Sequence, residues 1–386
     1  MEISTCVKYV GVNDHQVDLF EGQYKVPNGM SYNSYVILDE KIAVMDTVDG
    51  FFTEEWLNNV EQVLSGKTPD YLVIQHMEPD HSASIPAFLK KYPNATVVST
   101  AKGFQFMEQF FPEFFAGQGL PAEQRIVAAN DGVLELGQHS LHFVYAPMVH
   151  WPEVMMTYEA TEKILFAADG FGKFGALDAE EEWADEARRY YIGIVGKYGP
   201  QVQAVLKKAA GLDIQTICSL HGPVLKENLG FYLEKYDKWS SYQPEESGVV
   251  IAYASVYGNT RNAAEYLADV LQEKGQKTVL YDLARCDKAK AVADAFRYDR
   301  LVLAGITYNG DLFPCMRSFI EGLTERNYQN RKVAIIENGT WAPMAGKLIL
   351  GMFEKSKNLT FTETTVSIKS AMNEQNKGEI GKLAEE

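Results

Sequence analysis

Cysteine is scarce in this sequence and never closely spaced. Cys6, Cys218, Cys286 and Cys315 are spread through 386 positions without a CxxC pair. That spacing argues against a disulfide framework and against a fused iron–sulfur or rubredoxin-type module, and it fits reduced thiols in a cytoplasm. Positive charge is also in short supply. Lys and Arg number 36 against 52 Asp and Glu, a formal net charge of −16, which speaks against nucleic acid or an anionic membrane as partner. No apolar run approaches the length of a membrane span. The first residues, MEISTC, have neither a basic n-region nor an apolar h-region, so no export signal is expected and a cytoplasmic location is. What remains is 46% hydrophobic and 12% aromatic, an ordinary globular composition, in a chain long enough for two domains.

Histidine is sparse as well, with seven residues in all, yet two fall within the six-residue run HMEPDH at positions 76–81. His76, Glu78, Asp80 and His81 are all metal-competent, and Pro79 among them is expected to hold the backbone out of a helix. The run follows YLVIQ at 71–75, a buried-strand pattern. Where a strand opens into a loop, positions i, i+2 and i+4 share a side. His76, Glu78 and Asp80 are therefore expected to converge, with His81 reaching past them. Nitrogen and carboxylate donors without thiolate suit iron, manganese or zinc. Four such groups in six residues point to more than one metal. Burying them together without a cation would be costly.

Further ligands have the same setting, a polar side chain where an apolar strand gives way to a loop. His150 lies in APMVHWP after the strand-like stretch 140–145, Asp169 ends the strand at 163–168, and His221 sits in CSLHGP before a Gly-Pro turn. Singly, each reads as a hydrogen-bonded structural residue; together with the 76–81 run they form a candidate ligand set. His15, His139 and His142 lack this setting and read as surface or strand-edge residues.

Past a polar segment with Pro and Gly near 242–248 the pattern changes. Strands fit residues 249–254, 278–283, 301–306, 332–336 and 362–368. Between them lie helical stretches such as 260–274, with the apolar face Ala264, Leu267, Ala268 and Leu271. Alternating strands and helices mean a parallel sheet, with ligands at the carboxyl ends of its strands. The first strand runs into Ser255, Val256, Tyr257, Gly258, Asn259 and Thr260, hydroxyls and backbone N–H groups at a helix N-terminus that suit a phosphate. The loop has neither a Walker Lys nor GxGxxG. Two more loops, Thr307-Tyr308-Asn309-Gly310 and Asn338-Gly339-Thr340-Trp341, bring aromatics that can flank a planar ring. A flat ring with one phosphate is FMN.

With these motifs in view the whole chain resembles the flavodiiron proteins (A-type flavoproteins). The first half resembles them through HMEPDH, His150-Trp-Pro, Asp169-Gly-Phe-Gly, EARRYY at 186–191 and Leu220-His-Gly. The second half does so through residues 255–260 and TYNGDLFP at 307–314. The resemblance implies an α/β chain with an N-terminal metallo-β-lactamase-like αββα sandwich at 1–246 and a C-terminal flavodoxin-like doubly wound parallel sheet at 247–386. It implies two iron ions, one on His76, Glu78 and His150 and the other on Asp80, His81 and His221, bridged by Asp169. Glu78 stands where the wider lactamase-like superfamily has a second His. One loop departs from the family pattern: the third flavin loop, usually close to GSYGW, begins here with Glu337, a carboxylate expected to disfavour an anionic reduced flavin.

The implied activity is reduction of dioxygen to water, of nitric oxide to nitrous oxide, or both, with electrons from a separate small carrier such as rubredoxin. The implied assembly is a head-to-tail homodimer or a dimer of dimers, each flavin facing the partner's irons. A lactamase-like hydrolase with a regulatory flavodoxin-like domain is the alternative, and its second His is absent at position 78. A simple electron carrier with a vestigial metal site is weakened because all seven ligands are present.

Overall fold

A computed structural model describes residues 3–115 and 119–386. It divides into two compact units, residues 1–190 with 200–236 and residues 191–199 with 237–386. The sequence boundary at 246/247 thus falls inside the second unit, and the short stretch 191–199 belongs to that unit although the first unit flanks it on both sides in sequence. The polar segment near 242–248 is structured: Glu246 begins the strand Glu246–Tyr253, and Glu245 accepts from Trp239 Nε1 at 2.7 Å.

The first unit is an αββα sandwich. One sheet has the order Val7–Tyr9, Tyr35–Ile37, Ala43–Met45, Tyr71–Val73, Thr96–Ser99, Arg125–Val127; the other runs Val133–Glu135, Ser140–Tyr145, Met155–Glu159, Ile164–Phe166, Thr216–Cys218. Val7, Ile37, Met45 and Val73 from the first sheet share a core with Leu141, Phe143, Met155 and Phe166 from the second. The inner strands Tyr35–Ile37, Ala43–Met45, Ile164–Phe166 and Thr216–Cys218 are buried on both faces and read as short, mainly apolar runs, whereas the edge strands Arg125–Val127 and Val133–Glu135 are largely exposed. The helix Thr53–Leu64 buries Trp56, Val60 and Leu64, a four-residue spacing that lines one face.

Strand direction decides where the polar residues emerge. Ala43–Met45 is parallel to Tyr71–Val73, and Ile164–Phe166 to Thr216–Cys218. Asp46, His76, Asp169 and His221 therefore all follow the carboxyl ends of parallel neighbours. The turns at 38–42, 136–139 and 160–163 precede Ala43–Met45, Ser140–Tyr145 and Ile164–Phe166, at the opposite ends of those strands.

The second unit is a parallel sheet in the order Thr278–Asp282, Glu246–Tyr253, Tyr298–Tyr308, Arg331–Asn338, Leu359–Ile368, with Asp311–Leu312 added antiparallel to Tyr298–Tyr308. The helix Asn259–Glu273 buries Ala263, Ala264, Leu267, Ala268 and Leu271 on one stripe. Its start needs Gly258, whose φ of +92° is the left-handed region that only glycine enters freely.

Candidate metal centre and flavin cradle

The HMEPDH run is not all loop. Pro79 begins a four-residue helix, Pro79–Ser82, contrary to the expectation that it keeps the backbone out of one. At the first helical position proline has no N–H to waste and its φ is already suitable. The helical turn changes which side chains meet. Asp80 does not converge with His76 and Glu78 but with His81 and His221.

Two groups result. His76, Glu78, His150 and Asp169 form one, and Asp80, His81 and His221 the other. The Asp169 carboxylate lies between them. Its Oδ2 is 3.2 Å from both His76 Nε2 and His150 Nε2, and its Oδ1 is 3.3 Å from His81 Nε2 and 3.7 Å from His221 Nε2. Glu78 Oε2 faces His150 Nε2 at 3.0 Å and His76 Nε2 at 3.3 Å. Asp80 Oδ2 is 3.3 Å from the Nε2 of His81 and of His221, whose two ring nitrogens face each other at 3.1 Å.

These separations suit cations better than bonds among the side chains themselves. Ligand atoms at about 2.1 Å from one ion, at tetrahedral to octahedral angles, lie about 3.0–3.4 Å apart. Both carboxylate oxygens of Asp80 and of Asp169 are buried without a hydrogen-bond donor, an arrangement expensive unless a positive charge is supplied. The electrostatics agree. Burial opposes a charged His76 and His150, but Asp169 and Glu78 outweigh it, holding His150 up at about 9 and His76 well above its usual range. Burial likewise disfavours a charged Asp169, yet the surrounding imidazoles draw its pKa well down.

Residues that sequence reasoning missed brace this set. Glu153 Oε1 accepts from His76 Nδ1 at 2.8 Å and from Met77 N at 3.0 Å. The Ser31 carbonyl accepts from His221 Nδ1 at 2.7 Å. Asp46 accepts from both nitrogens of Gln75, at 2.7 and 2.8 Å; burial pushes its carboxyl up to about 6 against those bonds. The only sequence signal for Glu153 was its place three residues after His150. Tyr190 is buried with its ring 5.4 Å from that of His221, so it packs on a candidate ligand. His15 is exposed beside Asp178, and His142 lies on Ser140–Tyr145. His139, read as a surface or strand-edge residue, is buried.

In the second unit the three predicted loops follow Glu246–Tyr253, Tyr298–Tyr308 and Arg331–Asn338, at the carboxyl ends of adjacent strands. Ser255 Oγ accepts from Gly258 N at 3.1 Å and shapes the turn before the helix. Tyr257 and Trp341 are 93% and 90% exposed and Val256 and Tyr308 about half exposed, a set of apolar surfaces suited to cover a planar ligand. Asn309 and Gly310 carry positive φ at the loop tip. Three of the predicted contact side chains also bond within the scaffold. Thr307 Oγ1 accepts from Met344 N and Ala345 N at 2.8 and 3.1 Å. Asn338 bonds both ways with Ser370 and donates to the buried Thr260 Oγ1 at 3.4 Å. Thr340 meets Ser370 Oγ at 3.1 Å, and Gly339 N donates to Ile368 O at 3.0 Å. Glu337, the departure from the expected loop, turns inward: its carboxylate accepts from Gly346 N at 2.9 Å and from Ser367 Oγ.

Comparison with known proteins matches two families along the chain. Residues 30–222 match the ODP family beta lactamase and residues 250–358 a flavodoxin domain. The anaerobic nitric oxide reductase flavorubredoxin of Vibrio vulnificus is 28% identical over 355 residues, covering 88% of this chain and 70% of that one. Among solved structures, rubredoxin oxygen:oxidoreductase from Desulfovibrio gigas superimposes with a TM-score of 0.91 at 25% identity, over 100% of this chain and 96% of that one. The flavodiiron protein from Giardia intestinalis gives 0.87 at 26% identity, over 100% and 95%.

Proposed function

The chain belongs to the ODP beta-lactamase family and, with its flavodoxin domain, to the flavodiiron proteins, and we propose that it is an oxidoreductase reducing dioxygen to water, nitric oxide to nitrous oxide, or both. Asp169 carries that reading: a buried carboxylate with each oxygen turned to a different pair of imidazoles suits two ions that share one bridge. His76, Glu78 and His150 would hold one iron and Asp80, His81 and His221 the other. FMN would rest its phosphate on residues 255–260, with Tyr308 and Trp341 against the ring system. Two ferrous ions and a reduced flavin supply four electrons, the requirement of dioxygen, while two nitric oxides need two.

The protein's own groups set the conditions for that chemistry. Glu153 and the Ser31 carbonyl engage the Nδ1 atoms of His76 and His221, fixing ring orientation and leaving Nε2 as the donor lone pair. A zinc hydrolase has no use for a redox flavin, since zinc does not change oxidation state, and position 78 holds Glu rather than the His that the hydrolase alternative requires. Electrons would come from a small carrier such as rubredoxin, the protein after which the Desulfovibrio gigas rubredoxin oxygen:oxidoreductase is named. Each flavin would serve the irons of a second chain in a head-to-tail homodimer or dimer of dimers, the arrangement that keeps electron transfer ahead of escape of partly reduced oxygen.

Metal analysis with a visible spectrum tests the core of the proposal. Iron near two per chain together with flavin bands is expected; zinc without flavin would replace it with the hydrolase. Parallel steady-state assays with each gas then separate the two substrates.

A further inference from the structure

At the end of the sandwich remote from HMEPDH, two turns and the residue before the N-terminal strand bring a different set of donors together. Cys6 Sγ, a ring nitrogen of His139 and a carboxylate oxygen of Glu162 all lie within 4.8 Å of one another. Glu162 precedes the strand Ile164–Phe166 and Asp169 follows it. At about 3.3 Å per residue the two sites lie roughly 20 Å apart. We propose that Cys6, His139 and Glu162 form a mononuclear, thiolate-containing site for a divalent ion of zinc type, separate from the di-iron centre.

The surrounding residues are arranged as such a site needs. His139 is only 4% exposed. Its Nδ1 is 2.8 Å from Asp39 Oδ2, which also accepts from the His139 backbone N–H at 2.7 Å. A carboxylate on Nδ1 fixes the proton there and leaves Nε2 as the lone pair, the pattern behind most metal-bound histidines. That Nε2 faces Glu162 Oε1 at 3.9 Å. Glu162 Oε2 is a buried atom without a hydrogen-bond donor. The turn carrying Glu162 is held by the buried Glu159, which accepts from Thr161 N at 2.8 Å and from Glu162 N at 2.7 Å. Thr161 Oγ1 in turn donates to Gln138 O at 2.8 Å, fastening this turn to the one bearing His139. Cys6 is registered by Leu38 N donating to its carbonyl at 2.9 Å.

The chemistry of the set selects the ion. Thiolate, imidazole and carboxylate together are borderline ligands, suited to Zn(II) with water in the fourth position. Closing them around one ion brings donor atoms to about 3.4–3.6 Å, a modest rotation of the Cys6 and Glu162 side chains from their present spacing. The carboxylates of Asp39 and Glu162 both face the His139 imidazole; Lys8 offsets part of the negative charge at Cys6, and a dication would balance the rest. Burial, with Glu162 and Asp39 nearby, also raises the Cys6 thiol above its usual value, so without an ion this is a protonated thiol and not a reactive thiolate. Bound metal would pin the N-terminal strand to the two turns.

Cobalt(II) distinguishes this site from the other because the seven candidate ligands there, Asp169 among them, include no thiolate. Co(II) added to the full-length protein holding its iron and flavin should give a near-ultraviolet thiolate-to-cobalt difference band at one equivalent, displaced by Zn(II). Cys6→Ser should abolish the band and Cys315→Ser should keep it, with flavin and iron contents unchanged in both. Glu162→Gln, which keeps the thiol and leaves the core intact, should weaken Co(II) binding at least tenfold. No band in the parent protein, a band that survives Cys6→Ser, or unchanged affinity in Glu162→Gln would each overturn the proposal.

Discussion

Glu153 and His76, 77 positions apart in sequence, meet through a 2.8 Å hydrogen bond on the ring nitrogen that faces away from Asp169. The same Glu153 oxygen accepts from Met77 N, so one buried carboxylate orients both the imidazole and the backbone beside it. Carboxylates in this position commonly contribute ten- to a hundredfold to metal affinity. Glu153→Gln should therefore weaken iron binding by about that factor while FMN content stays unchanged. Iron retention against a graded chelator series checks it; retention equal to the parent would leave Glu153 a purely structural residue.

Glu78→Ala addresses the metal centre directly. Glu78 Oε2 stands between His76 and His150, and removing it takes one donor from the first ion. Iron content should fall and reduction of whichever gas the parent turns over should disappear, with flavin bands intact. Loss of flavin along with iron would show that the two sites are not independent.

The parts of this site legible in the sequence were those written locally. HMEPDH announced itself by density, and Asp169 and His221 by following apolar strands that could only be buried. What stayed hidden depends on pairing across the sandwich. Glu153 and Asp46 act through partners 77 and 29 positions away, and no periodicity marks such a bond. His139 read as a surface or strand-edge residue because its partner Asp39 lies 100 positions upstream. The three inner strands of the second unit were legible because a parallel sheet covered on both faces leaves apolar runs there. Their loops were less legible: hydroxyl and amide residues at a helix start serve a phosphate or a cap equally well, and the bonds that Thr307 and Asn338 make to the backbone of other loops have no periodic signal.

Glu337 shows the same ambiguity resolved toward structure. Its carboxylate lies at the N-terminus of the helix Ala345–Met352 and accepts from Gly346 N, where a negative charge is favoured by the helix dipole. Glu337→Ala should destabilise the flavodoxin domain by about 1 kcal/mol, the usual effect of losing a helix cap, read as a lower urea midpoint at unchanged slope. Glu337→Gln keeps an acceptor and should recover part of that loss. Equal stability in all three proteins would remove the capping role.

The flavin prediction rests on Tyr257, Tyr308 and Trp341. Acid extraction and chromatography should yield FMN alone; an adenine-containing flavin would refute the assignment. Trp341→Ala should weaken FMN binding, since a stacked aromatic face contributes about 1 kcal/mol beyond the area it buries. Apoprotein titrated with FMN would measure that change, and an unaltered affinity would mean that Trp341 does not cover the ring.

Electron delivery between chains makes the sharpest prediction, because it can be tested by mixing. One chain carrying Glu78→Ala keeps its flavin but loses an iron ligand; a second chain, altered in the 255–260 loop to lose flavin, keeps its irons. If each flavin serves the partner's irons, a mixed dimer contains one complete pair and should recover up to half of the parent's activity per dimer. If each flavin serves its own chain, every mixed dimer holds only incomplete pairs and remains inactive. Refolding or co-expressing the two variants with different affinity tags isolates the mixed species, and each variant alone sets the baseline. Activity no greater than that baseline, in a mixed dimer shown to hold both iron and flavin, would sink the head-to-tail assembly while leaving the metal and flavin assignments standing.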